Sequence, residues 1–190
     1  MNQTSKILSN KPDFNFSFQL IHWQKAHGRH ALPWQNTRDP YAIWLSEIML
    51  QQTRVATVIP YYQRFLQFYP NIKSLSLASL DEVLALWSGL GYYSRGRNLH
   101  KSANLIVRDY GGKFPSEHNS IKQLPGIGRS TAAAIQVFVF GKRYAILDGN
   151  VKRILTRYFG AKGYLGEKKL DTLFWKKAED LLPESKTKGD

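Results

Sequence analysis

The 190-residue chain contains no cysteine. Disulfides, zinc–thiolate sites and iron–sulfur clusters with ligands from this chain are therefore excluded. No run of about 18 apolar residues exists, so no segment is suited to span a bilayer as a helix. The N-terminal "MNQTSKILSNKPDFNFSFQL" lacks the unbroken apolar stretch of a signal peptide. Acidic residues are also scarce. Asp plus Glu number 14 against 27 Lys plus Arg, giving a formal charge of +13. A chain this basic points to an anionic partner, nucleic acid first and an anionic membrane surface second. The reading from these absences is a soluble, intracellular, cytoplasmic protein.

What is present suffices for a packed domain. The chain is 43% hydrophobic, with five Trp, ten Tyr and ten Phe. Periodicity predicts helices almost throughout. Phe14, Phe18 and Ile21 share helical spacing ahead of Gly28. Asp39-Pro40 is a start signal for a helix reaching about Gln52. "VATVIPYYQRFLQFYP" is a further helix, and Ser79 with Glu82 forms a capping box ahead of "LDEVLALW". "SRGRNLHKSANLIVRDYGG" is amphipathic and closes on two glycines. "GNVKRILTRYFG" and "EKKLDTLFWKKAEDLLP" are the last two. No strand pair is evident, and "FVFGKRYAIL" is the one ambiguous run. The fold class is all-α, with helices of 10 to 15 residues joined by short loops.

Three stretches carry chemistry. In "LPGIGRSTAAAI", Gly126 and Gly128 permit an unusual turn and close approach of another backbone. The helix behind them directs free N–H groups and its positive end forward. With Lys122 and Arg129 alongside, this is a cradle for a DNA phosphate that reads no base; the alternative is an ordinary glycine turn. In "AILDGNVKR", Asp148 stands just before a helix, either as a plain N-cap or as an ionised carboxylate facing DNA. Lys152, Arg153 and Arg157 extend the basic character. In "YAIWLSEIMLQQTRV", Glu47 interrupts an apolar helix. It is either a solvent-facing glutamate or an acid whose proton affinity is raised by desolvation.

The order of these motifs resembles the helix-hairpin-helix DNA glycosylase superfamily. Within it, "WLSEIMLQQTRVATVIPYY", "LWSGLGYYSRGRNLHKSA", "LPGIGRSTAAAI" and "ILDGNVKR" are similar to the MutY adenine DNA glycosylases, over about Phe18 to Pro183. The resemblance implies a six-helix barrel over residues 39–160, with the hairpin inside it. It assigns 1–38 to the N-terminal segment and helix of an incomplete second lobe, and 161–190 to a C-terminal helix and a truncated end. It implies that Glu47 is the catalytic acid, Asp148 the catalytic aspartate and Asn150 a neighbouring active-site amide. Gln51, Gln52 and Tyr92 match residues that wedge into the base stack, and Arg29 and Trp34 match residues around the adenine pocket. Gly126, Gly128, Arg129 and Lys152 fall to DNA binding. Ser130 occupies the position where endonuclease III-like relatives carry a lysine nucleophile, so the implied enzyme is monofunctional.

The implied substrate is adenine opposite 8-oxoguanine or guanine in double-stranded DNA, with a monomeric enzyme and no membrane partner. Full-length members of the family carry a [4Fe-4S] cluster on four cysteines and a C-terminal domain. This chain has neither the cysteines nor that domain. Two hypotheses follow: an active adenine glycosylase, or an inactive or unstable DNA-binding remnant of one.

Overall fold

The computed structural model describes residues 15–162 and 167–183, and every regular element in them is an α-helix. The sequence reading of 1–13, of Phe14 and of the last residues lies outside the described part. Contacts divide the chain into two bodies. One is His30–Lys142; the other comprises the described parts of Met1–Arg29 and Arg143–Asp190. The sequence places the barrel over 39–160; by contacts, residues 143–160 group with the described parts of 1–29 and 161–190.

In the His30–Lys142 body the first helix is α2, Pro40–Leu50, after α1 of the other body (Phe16–His27). Asp39 caps α2, accepting from the backbone N–H groups of Tyr41 and Ala42, and Pro40 fills the first turn where no N–H is needed. Tyr41 to Ser46, Ile48 and Met49 are all buried, so α2 is enclosed on nearly every side, as a helix apolar all round must be. It packs against α3 (Val55–Phe68), α6 (Tyr93–Tyr110) and α8 (Arg129–Phe140). α4 (Ile72–Leu77) and α5 (Leu80–Trp87) lie against α6. Ser79 and Glu82 form the expected capping box of α5.

α4 was not anticipated. It has only six residues, and its capping box pairs Asn71 with Ser74 rather than with Glu or Gln. The helices run from 6 to 18 residues, a wider range than the sequence suggested. α7 (His118–Gln123) leads through the hairpin to α8, which ends at Gly141 with φ 62°. The ambiguous "FVFGKRYAIL" is thus helical only to Phe140. One continuous core joins these helices, centred on Trp44, Leu45, Phe65, Trp87, Ile106 and Ile135. Each such side chain contributes about 1.5–3 kcal/mol by burial.

The second body holds α1, α9 (Gly149–Phe159) and α10 (Lys168–Asp180). Its core is small: Ala145, Leu147, Leu155, Leu170, Phe174 and Ala178. α1 stops at Gly28 as expected and is joined to this body by the Phe16–Tyr158 ring contact and by a Ser17 hydroxyl that donates to the Leu181 carbonyl.

Candidate functional site

In the His30–Lys142 body, Glu47 is half-buried between buried Ser46 and Ile48. It opens into a cavity of about 440 Å³ lined by Trp34, Gln35, Thr37, Arg38, Ile43, Ser46, Glu47, Val137 and Phe138. The enclosed helix therefore presents its one carboxylate to the cavity. Two of the expected residues, Glu47 and Trp34, share this space. Trp34 is itself buried and held edge-on by Tyr62, with ring centroids 5.4 Å apart. The α8 side of the wall was not foreseen. Val137 and Phe138 line it there, and Phe138 is 49% exposed. A cavity of this size, with Trp34, Ile43, Val137 and Phe138 as its apolar part, Gln35, Thr37, Arg38 and Ser46 as hydrogen-bonding groups and a single acid, suits a small heterocycle.

Beyond α2 the chain turns sharply. Gln51 and Gln52, adjacent in sequence, part company. The Gln51 amide donates to the Gly126 carbonyl at 3.3 Å and to the Thr131 hydroxyl at 3.4 Å, tying the loop to the hairpin. Gln52 is exposed and adopts φ 55°. Tyr92, at the start of α6, is 57% exposed with φ 48°. These are the two non-glycine residues with positive φ among those described.

Arg95 was overlooked in the sequence, where it reads as one more solvent cation. It is 7% exposed, and its guanidinium donates to the Gln51 carbonyl of one loop and the Leu90 carbonyl of the other. Burial pushes its pKa below the usual arginine value, an effect opposed by Tyr92. A signal was present: Arg95 falls on the same helical stripe as buried Leu99, Ala103 and Ile106.

The hairpin is where the sequence placed it. Gly126 has φ 79°, and a Cβ there would stand 3.0 Å from the Asn98 Cβ. Gly128 corrects the expectation that both glycines need special angles. Its φ of −89° is ordinary, and nothing lies within 4 Å of the place its Cβ would take. Any residue could adopt that backbone, so what Gly128 provides is open space before α8. Ser130 is the second residue of α8 and half-buried; Arg129 is exposed. Burial first, then the Lys122 and Arg129 charges, hold His118 below the usual histidine pKa. The hairpin is thus electropositive even toward its own neighbours.

In the other body, Asp148 caps α9, accepting from the Val151 N–H at 2.8 Å. Asn150 is exposed in the first turn of that helix. Lys152 is ion-paired with Asp171 of α10, so its charge is shared within the body. Arg29 is exposed at the end of the α1 segment. A cysteine-ligated cluster has no donors in this chain. No group of three His, Asp or Glu fit for a metal occurs among the described residues, and no helix among them is long and apolar enough to cross a membrane.

Residues 45–180 match the family described as "HhH-GPD superfamily base excision DNA repair protein". The chain is 51% identical over 168 residues to an adenine DNA glycosylase of Buchnera aphidicola (subsp. Acyrthosiphon pisum), a match covering 88% of this chain and 48% of that protein. It is 46% identical over 151 residues to the human adenine DNA glycosylase, covering 75% and 28%. The chain thus spans about half the length or less of these curated relatives. Among solved structures, a thermostable thymine-DNA glycosylase superposes with a TM-score of 0.81 at 31% identity, covering 90% of this chain and 78% of that one. The match over residues 45–180, extending through the hairpin and α9, places the chain in the HhH-GPD superfamily of base excision DNA repair proteins.

Proposed function

We propose that this chain is a monofunctional adenine DNA glycosylase. It hydrolyses the N-glycosidic bond of adenine mispaired with 8-oxoguanine or guanine in double-stranded DNA. The observation that carries the reading is the half-buried Glu47 facing a cavity with Trp34. The adenine DNA glycosylases among the relatives support it.

An adenine inside a duplex is out of reach and must be extruded, at a cost of a few kcal/mol that pocket contacts offset. Trp34 and the apolar wall receive the base. Adenine leaves poorly unless a ring nitrogen is protonated, and Glu47 supplies that proton, worth roughly 10²–10⁴ in rate. Asp148 balances the positive charge that grows on the sugar, and Asn150 assists it. Gln52 and Tyr92 fill the vacated stack. Gln51 serves by fixing their loop to the hairpin. Arg29 flanks the approach to the pocket. Gly126, Gly128 and Arg129 hold the phosphate backbone, and Lys152, its charge shared with Asp171, has a lesser part in it. Ser130 carries a hydroxyl, which cannot form a Schiff base, so the strand is left intact as an abasic product. The enzyme acts as a monomer.

A second reading, DNA binding without catalysis, draws on one observation: α1 buries none of its residues.

Glu47→Gln tests the first reading. Release of adenine from an adenine:8-oxoguanine duplex under single turnover should fall by at least about 10²-fold. Duplex affinity, measured by mobility shift, should hold. Unchanged release by the variant would overturn the assignment of the acid. A parent that binds duplex but releases no adenine would favour the second reading.

A further inference from the structure

Gln52 and Tyr92 lie forty positions apart in different loops, yet both hold a left-handed backbone that an ordinary side chain avoids. Such a conformation costs roughly 1–3 kcal/mol and persists only where the surroundings impose it. Arg95 bonds to the chain beside both places. One terminal nitrogen donates to the Ile48 carbonyl at 3.2 Å, the Met49 carbonyl at 2.7 Å and the Gln51 carbonyl. The other donates to the Thr53 hydroxyl at 3.0 Å, the Leu90 carbonyl at 3.2 Å and the Gly91 carbonyl at 3.1 Å. Gln51 and Thr53 bracket Gln52, and Gly91 adjoins Tyr92. The guanidinium also lies 5.4 Å from the Tyr92 ring centroid and 5.5 Å from that of Trp87. The Trp87 indole N–H donates to the Gly91 carbonyl at 3.0 Å, a second tie on the same loop.

We propose that Arg95 is a positioning residue that locks the Gln52 loop and the Tyr92 loop at a fixed separation, so that the two side chains enter the DNA base stack as one preformed wedge. This rests on the wedge role given to Gln52 and Tyr92 under the proposed function. The chemistry favours it. All six acceptors are neutral, five carbonyls and one hydroxyl, so no carboxylate accounts for the buried cation. Only a planar fork reaches two loops at once. A lysine offers three donors from a single point and can serve one loop only. Preordering both loops moves the entropic cost of wedge formation from the encounter with DNA to folding.

The test uses the full 190-residue chain and a duplex with 2-aminopurine in place of the mispaired adenine. Its fluorescence rises when the base leaves the stack. Arg95→Lys keeps the charge, so duplex affinity should change less than about threefold. The extrusion signal should slow about ten- to a hundredfold, the range that small misplacements cost. With Tyr92→Ala added, the loss should not exceed that of the worse single variant, because both changes remove one device. Circular dichroism and a thermal melt establish folding. If Arg95→Lys is unfolded, Thr53→Val, which removes one acceptor on the Gln52 side, carries the test with an expected slowing of about two- to fivefold.

Gln52→Ala and Tyr92→Ala serve as controls on the underlying reading. If the parent gives no signal, or both controls extrude as the parent does, the wedge reading falls and the inference with it. If the controls slow extrusion while folded Arg95→Lys, or Thr53→Val in its place, does not, the wedge reading stands and the role of Arg95 is wrong.

Discussion

The two bodies of this chain use the same helical vocabulary with different resources. The His30–Lys142 body encloses a core running from Trp34 to Ile135, with three tryptophans in it. Among its described residues the other body closes on a cluster of six buried ones, and α1 contributes none of them. The difference separates two kinds of burden. The large core can bear costly features: a half-buried acid, a buried guanidinium and two left-handed side-chain positions. The second body carries its candidate catalytic residues on the surface, with Asp148 and Asn150 exposed at the start of α9. Strain is sustainable where many contacts over-determine the backbone, and a small core supplies few of them.

The largest expected effect that tests this contrast comes from matched deletions of two fully buried phenylalanines. Phe65 stacks edge-on with Trp87 at 5.7 Å in the large core, and Phe174 is equally buried in the small one. Phe65→Ala should cost about 3–5 kcal/mol and lower the main unfolding transition. Phe174→Ala should fall at the lower end of that range, because a small cluster collapses more readily, and should leave amide exchange in α2 and α6 unchanged. Equal costs with loss of protection throughout would show that the bodies unfold as one unit.

Asp148 gives an intermediate effect and separates the cap from the chemistry. Asparagine caps as well as aspartate, so Asp148→Asn should melt like the parent while adenine release drops sharply. Asp148→Ala should lose release and also about 1 kcal/mol of stability. If Asp148→Asn retains full release, Asp148 serves α9 as a cap alone.

The smallest effect concerns Glu82 in the large body. Its carboxyl accepts from the Ser79 N–H at 2.7 Å and from the Ser79 hydroxyl at 2.8 Å, which hold its pKa below the ordinary value of 4.5. A carboxylate whose pKa is lowered on folding stabilises the fold above its unfolded pKa and loses that contribution as pH falls through the folded value. Glu82→Gln should therefore melt slightly below the parent at pH 6, and the gap should close toward pH 3. A gap independent of pH would place the capping energy in shape rather than charge.

Much of the fold was legible because its signals are local. Asp39-Pro40, the Ser79–Glu82 box and Gly28 set helix ends through groups only a few residues apart. The hairpin followed from Leu124 to Gly128 in the same way. α4 escaped because six residues with an Asn–Ser box leave too weak a pattern. In the site, Glu47 and Trp34 were legible as residue types in family motifs. The cavity they share with Val137 and Phe138 was not, because residues ninety positions apart meet only through the packing of α2 on α8.

The sequence by itself determined the helical class, the caps, the hairpin, the basic charge and the residue types available for chemistry. Each depends on composition or on neighbours within about one helical turn. Only the tertiary structure decided that Gln51 turns to the hairpin while Gln52 is left exposed, that Lys152 shares its charge with Asp171, and that Arg95 joins two loops from inside the core. Those outcomes hang on which distant carbonyls, carboxylates and aromatic faces packing brings within about 3–6 Å. No local pattern of residues encodes that distance.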